Sequence, residues 1–401
     1  METINEKERQ TPVTGKYGVL VAGGGIAGIS AALSAARNGA DVLLVERECL
    51  LGGLATLGLI TIYLPLCDGM GNQVSFGIAE ELLRLSIKHG AEDRYPAAWL
   101  DGSDPEARKK QRFQVQYNPH LFALEAEKLL LNEGVKILYN THICGTIVEN
   151  RKITHIILEN KGGRSAIAVR SVVDATGDAD VCLLSGEETV TFKQQNVLAA
   201  WYYFINNGKI GLKMLGYADT PDEYKKKDSP NLLVNRRFSG LGGFENSEMI
   251  CLSHEQMLKD ILNKRQNDAS YLPVILPTIP QVRMTRRIAG AYTMDDKEIG
   301  KGFPDGIGMI SDWRKSGPVY ELPFSVLYGN RIDNLITAGR CISVTDSMWD
   351  ITRVIPPCAV TGQAAGTAAA MTDNFAKLNT VKLREILANN GLFKAERLLQ
   401  L

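Results

Sequence analysis

The stretch from residue 18 to 46, GVLVAGGGIAGISAALSAARNGADVLLVE, limits the fold of this chain more than any other. From Tyr17 to Ala36 there are twenty residues without a formal charge, about the length of a membrane span. A single apolar helix is nevertheless a poor reading. Gly23, Gly24, Gly25 and Gly28 would each weaken such a helix by roughly 1 kcal/mol relative to alanine, and Val19, Leu20 and Val21 ahead of them suit a buried parallel strand. The run therefore divides into a strand, a tight turn and a helix. The helix carries Ala31, Ala32, Ser34, Ala35 and Ala36 and ends near Arg37 and Gly39. Residues 41–45 form a second strand, with Glu46 at its end, 23 residues after Gly23.

In Gly23-x-Gly25-x-x-Gly28 each glycine has a task. The first allows the turn, the second lets backbone approach a pyrophosphate, and the third packs helix on strand. The helix N-terminus turns its free N–H groups toward phosphate. A carboxylate at Glu46 is placed to accept hydrogen bonds from ribose hydroxyls. The glycine pattern alone is weak evidence, but strand, glycines, helix, strand and acid in one unit point to a dinucleotide.

The rest of the composition narrows the partners. At 401 residues the chain has room for two or three domains. Lys+Arg and Asp+Glu both number 45, and no basic cluster suggests nucleic acid. The opening METINEKERQTPVTGK has no apolar core for export and reads as a flexible arm over 1–13. No other run is long and apolar enough for a membrane, so a cytoplasmic protein is expected. Seven scattered cysteines, none in a C-x-x-C pair, indicate neither a disulfide framework nor a metal site.

NAD and FAD sites share the first unit, so later segments must separate them. Gly52 and Gly53, in LLGGLATLG, suggest a second close approach of backbone to a ligand, although an ordinary glycine turn has the same composition. Residues 171–178, SVVDATGD, read as a strand running into Gly177, with a helix-like stretch at 179–184. Residues 334–340, NLITAGR, read as a strand ending in Gly339. They lead through a loop to 361–370, TGQAAGTAAA, a helix start whose dipole could face a developing negative charge. The same small residues equally suit a tightly packed helix pair.

Together these segments resemble the FAD-dependent oxidoreductases with the glutathione-reductase type of FAD-binding fold. The chain is most similar to the bacterial family called simply FAD-dependent oxidoreductase, over nearly its whole length. The likeness extends to VRMTRRIAGAYTM at 282–294, YELPFSVLY at 320–328 and RVIPPCAVTGQAAGTAAA at 353–370. The resemblance implies an α/β fold: a Rossmann-like FAD-binding domain at 14–190 and 330–401, with an inserted α+β substrate or cap domain at 191–329. It implies that Gly23, Gly25 and Gly28, with Ala27, hold the pyrophosphate of non-covalent FAD. Glu46, with Arg47, would meet the adenosine ribose, and Ile143 the adenine. Gly52, Gly53, Leu54 and Ala55 would lie nearer the flavin. Ala175, Gly177 and Asp178 would be on the pyrophosphate and adenosine side, Gly339 and Arg340 at the ribityl and phosphate part, and Ala365 and Gly366 at the pyrimidine edge.

GGLATLG lacks the reactive cysteine pair of disulfide reductases. The mid-chain cluster Gly240-Leu241-Gly242-Gly243 is not followed by a small-residue helix, so no nicotinamide domain is expected. Residues 196–205 read as a strand, 253–265 as an amphipathic helix with Met257, Leu258, Ile261 and Leu262 on one face, and 212–230 as a solvated excursion. Arg283, Arg286 and Arg287 could hold a carboxylate or orient a polar substrate, or form ion pairs between domains. The long connection from Cys341 to Cys358 carries Asp346, Trp349, Asp350 and Arg353. Relatives have a histidine at the place of Asp346, so a histidine base is not carried over. Arg353, matching the family arginine, with Arg287 and Asp346, are the catalytic candidates. Cys358, before the last helix, could approach the ring or simply pack.

The expected activity is hydride transfer between a small polar organic substrate and flavin N5. Two alternatives stay open: a fumarate-reductase-like reaction on the C=C bond of an unsaturated acid, and a non-catalytic FAD-binding redox module with a partner chain. The electron partner is unknown, and a homo-oligomer remains compatible with the sequence.

Overall fold

A computed structural model describes residues 3–5, 8–102, 104–216 and 232–399. The strand ahead of the glycines, Val13–Ala22, lies inside a seven-stranded sheet. Val42–Val45 runs parallel on one side, Val19 opposite Val42, and Gly163–Asp174 runs parallel on the other, Val21 opposite Val173. Lys136–Leu138 extends the parallel sheet beyond Val42–Val45, and Leu335–Thr337 pairs with Val172 to Asp174. The first half of Gly163–Asp174 pairs instead with Lys152–Asn160, which pairs with His142–Glu149, both antiparallel. Val19, Leu20, Val21 and Ala22 are fully buried, because apolar side chains cover both faces of the sheet. That is why the strand is continuously apolar rather than alternating.

On one face, helix Ile26–Arg37 packs against helix Ile355–Met371. A Cβ on Gly362 would lie 2.3 Å from the carbonyl oxygen of Ala27, and Ser34 Oγ is 2.8 Å from Thr367 Oγ1. The small residues at 361–370 thus serve a backbone-to-backbone helix contact. The helix begins at Ile355, six residues before Thr361, with Pro356 in its first turn, where the missing N–H of proline costs nothing.

The connection after Cys341 also folds further than its sequence suggests, since Asp346–Thr352 is a helix capped by Thr345 Oγ1. Between the two parts of the main sheet, Ala200–Asn206 pairs antiparallel with both Lys209–Leu215 and Leu272–Ile275. Helix Gly243–Asn267 covers this sheet through Met257 and Ile261, which pack on Ala200, Tyr202 and Tyr271. The helix starts ten residues earlier than expected, within the mid-chain glycine cluster, and it leaves Leu258 and Leu262 exposed. Of the expected excursion at 212–230, residues up to 215 continue a strand, and 217–231 lie outside the described residues.

Candidate functional site

A cavity of about 690 Å³ opens along the ends of the parallel strands, within the usual size of small-molecule and cofactor sites. Its first wall is the glycine turn. Gly23 has φ +93°, and a Cβ there would lie 2.7 Å from the carbonyl oxygen of Ala175, where two strand ends converge. A Cβ on Gly28 would meet the carbonyl oxygen of Gly23 at 1.8 Å, so this glycine serves helix-on-strand packing and does not line the cavity. Gly25 differs from both. It lines the cavity, and apart from its chain neighbours a Cβ there would meet no protein atom within 4 Å. Packing among the described residues gives no reason for a glycine at that place, whereas close approach of a ligand to the helix N-terminus does. Gly25 is also the N-cap of Ile26–Arg37 and offers no side-chain cap, which leaves first-turn N–H groups for an anion.

Glu46 is nearly buried and lines the same cavity. Its Oε2 accepts from Gly24 N at 2.6 Å and its Oε1 from Glu48 N at 2.9 Å. The carboxylate therefore braces the glycine turn, and each oxygen retains a lone pair for a further donor. Gly52 donates its N–H to the carbonyl oxygen of Gly24 at 2.8 Å. A Cβ on Gly53 would lie 3.4 Å from Gly25 Cα, so the two glycine turns touch. Arg47, Leu54, Ala55, Ala27, Ala175 and Ile143 complete this part of the lining.

A charged shelf follows. Gly177 has φ +83°, and a Cβ there would lie 2.2 Å from Arg340 Nη2. Arg340 Nη1 donates to the carbonyl oxygen of Arg283 at 2.8 Å, and Nη2 is 3.7 Å from Asp178 Oδ1. Asp178 also accepts from Thr285 Oγ1 at 2.6 Å. Arg286 donates through Nε to the carbonyl oxygen of Asp178 at 2.9 Å and through Nη2 to Asp180 Oδ1 at 2.7 Å. Burial, reinforced by Asp178 and Asp174, pushes the Asp180 carboxyl up to about 6, against the pull of Arg286.

The remaining wall is apolar and aromatic. It includes Ile60, Ile62, Leu241, Ile279, Trp201 and Trp313, with Arg283 and Arg353 among them. The Arg283 guanidinium stands 5.1 Å from the Trp201 ring centre, and that of Arg353 5.8 Å from Trp313. Asn246, from the first turn of Gly243–Asn267, also reaches this wall. Val354, Ile355 and Cys358 bring the start of the last long helix to it. Burial pushes the Cys358 thiol up to about 12 despite Arg340 and Arg353, so it is protonated at neutral pH and not a thiolate nucleophile.

Most of the sequence-expected binding residues, Gly339 included, thus come together around one cavity. Gly28, Ala365 and Gly366 do not line it. Ala365 is fully buried, and a Cβ on Gly366 would lie 2.1 Å from the carbonyl oxygen of Ala31. Among the catalytic candidates only Arg353 lines the cavity. Arg287 is buried against the Trp349 ring at 5.5 Å, and desolvation lowers its pKa against the influence of Asp346. Asp346 lies in the first turn of its helix, off the cavity wall. Trp201, Trp313 and Asn246 were not singled out for the site by the sequence. Trp313 sits in a short charged segment, SDWRK, whose only signal was a tryptophan between an acid and a base.

Among the described residues no group of three His, Cys, Asp or Glu could hold a metal ion, and no helix is long and apolar enough to cross a membrane. A family profile described as FAD dependent oxidoreductase matches residues 18–209 and 242–387. Comparison with curated proteins gives no match. Among solved structures, a geranylgeranyl bacteriochlorophyll reductase-like protein from Thermoplasma acidophilum is 14% identical, with 95% of this chain and 84% of that chain covered and a TM-score of 0.46. The p-nitrophenol 4-monooxygenase of Pseudomonas putida is 12% identical, with 96% and 83% covered and a TM-score of 0.47. The 3-ketosteroid-Δ4-(5α)-dehydrogenase of Rhodococcus jostii is 13% identical, with 90% and 98% covered and a TM-score of 0.41.

Proposed function

The chain belongs to the family of FAD dependent oxidoreductases, and from that premise we propose that it transfers a hydride between a small polar organic substrate and FAD held non-covalently in the cavity described above. The observation that carries this reading is the continuity of the cavity, with a glycine-rich, backbone-lined part and an aromatic part bearing arginines in one space. Bound FAD would supply a two-electron hydride donor or acceptor. Gly25 and the first turn of Ile26–Arg37 would take the pyrophosphate, Glu46 the adenosine ribose, and Arg340 with Asp178 the linking part. Trp201, Trp313 and the aliphatic wall would exclude water and hold the substrate body, while Arg353 would fix its polar end.

The strands of the main sheet fall within 13–174 and 335–337. This supports assigning FAD binding to 14–190 and 330–401, and the substrate-facing cap to 191–329. Anaerobic screening of the flavin-loaded protein against alcohols, amines, hydroxy acids, enones and unsaturated acids tests the reaction. Bleaching or reoxidation of the flavin bands by one compound class supports the reading. Failure of every class under conditions where dithionite bleaches the bands and air restores them argues for a redox module without its own small-molecule substrate.

A further inference from the structure

Behind Arg353 runs a buried line of alternating charge. Asp312 accepts from Arg314 Nε and Nη2, both at 3.0 Å. Arg314 Nη1 lies 3.4 Å from Asp350 Oδ2. The other oxygen of Asp350, Oδ1, accepts from Arg353 Nε at 3.0 Å and Nη2 at 2.6 Å. Neither carboxylate has any solvent exposure. Asp296, held by Ser347 Oγ at 3.0 Å, stands 3.9 Å from Arg314. The backbone oxygen of Asp350 also accepts from Trp313 Nε1 at 2.8 Å. One residue thus fixes both the guanidinium and the indole that form this wall of the cavity.

Among the described residues the group contains three carboxylates and two guanidiniums. Arg353 therefore meets the cavity as a hydrogen-bond donor whose charge is already matched by a buried carboxylate, not as an open cation. A second carboxylate brought to it would be desolvated beside Asp350, and like charges repel strongly in such surroundings. A neutral carbonyl oxygen would accept from the same guanidinium without that penalty. Three of the four other arginines lining the cavity point the same way: Arg47, Arg286 and Arg340 each have a carboxylate within 4 Å, in Glu48, Asp180 and Asp178. The fourth, Arg283, donates to the carbonyl oxygen of Gln281 and stands over the Trp201 ring.

We propose that the substrate presents a neutral carbonyl oxygen to Arg353 from a flat, apolar body resting on Trp313 and Trp201, and that Asp350 is the positioning residue that sets this preference over a carboxylate. The inference rests on the reading that the aromatic part of the cavity is the substrate's.

The test is binding rather than turnover. Cinnamamide and cinnamate share a flat apolar body and differ in charge at the end. Each is titrated into the flavin-loaded protein, with calorimetry and tryptophan fluorescence as readouts. The wild-type protein is expected to bind cinnamamide at least tenfold more tightly than cinnamate. Asp350→Asn removes the compensating charge and is expected to narrow or invert that ratio while the flavin absorbance stays unchanged. Arg353→Gln, which leaves Asp350 paired to Arg314, tests the same point should Asp350→Asn fail to fold. In that variant cinnamamide should lose more affinity than cinnamate. A wild-type preference for cinnamate, binding of neither probe, an unchanged ratio in Asp350→Asn, or a larger loss for cinnamate in Arg353→Gln overturns the proposal. If the purified protein neither carries flavin nor takes it up, the flavin reading fails instead, and the same titrations on the apoprotein still decide the charge preference.

Discussion

Gly366 meets Ala31 so closely that a Cβ on the glycine would stand 2.1 Å from the alanine's carbonyl oxygen. The contact is between two helix backbones, and neither residue lines the cavity. Gly366→Ala should therefore lower stability by about 1–3 kcal/mol, the usual range for overpacking. The visible spectrum of the protein that remains folded should not change. Urea unfolding monitored by far-UV dichroism, with the flavin spectrum alongside, checks both halves. A spectral change at unchanged stability would return Gly366 to the cofactor.

Gly25 is the opposite case, because a Cβ there meets open cavity and its φ of −68° is available to any residue. Gly25→Ala should lower apoprotein stability by no more than about 1 kcal/mol, the cost of alanine in place of glycine at an N-cap. FAD affinity should fall by about tenfold or more, equivalent to roughly 1.4 kcal/mol. Comparing apoprotein melting with fluorescence titration of FAD separates the two effects, and unaltered affinity would remove Gly25 from the pyrophosphate site.

The central part of the fold was legible because each local signal agreed with its neighbours. Val19 to Ala22, Gly23 to Gly28 and Val42 to Glu46 each have one physical use, and together they define a strand–turn–helix–strand unit. The residues at 361–370 were harder, since a run of alanine and glycine suits a ligand contact and a helix–helix contact equally. The close approach of Gly362 to Ala27 and of Gly366 to Ala31 is what shows the helix–helix contact. The start of Gly243–Asn267 was hidden by glycines at its N-terminus, where low helix propensity conceals a helix held by later packing. The aromatic wall was least legible. Trp201, Asn246, Trp313 and Arg353 come from four separated segments, and no sequence spacing predicts their meeting.

Glu46 braces the turn through two backbone N–H groups. Glu46→Gln keeps the size of the side chain but replaces one acceptor oxygen with a donor, leaving one of those N–H groups facing an amide. The expected loss is about 1–3 kcal/mol of stability, as for a buried donor left unsatisfied, together with weaker FAD binding. Thermal unfolding with and without added FAD measures both. A variant as stable as the parent would mean that the turn does not depend on this carboxylate.

Asp180 gives a pH signature. Its carboxyl is pushed up to about 6, mainly by burial, from an unfolded value of about 3.9. Between these values the folded chain holds the proton that the unfolded chain has released. Stability from this group therefore falls as pH rises through that window and stays lower above it. The side chain is 43% exposed, so solvent screening keeps the effect below that of a fully buried acid. Asp180→Asn should flatten this part of the profile of melting temperature against pH. An unchanged profile between about pH 4 and 6 would show that Asp180 does not contribute as its surroundings suggest.

The most direct test of the whole account is the visible absorption spectrum of the purified protein, before and after heat denaturation, with the released chromophore identified by chromatography. Flavin bands in the native protein, and FAD recovered intact in the supernatant, are the result that the proposed non-covalent binding predicts. A colourless protein that cannot be reconstituted with FAD, or a flavin that stays on the denatured chain, would contradict it.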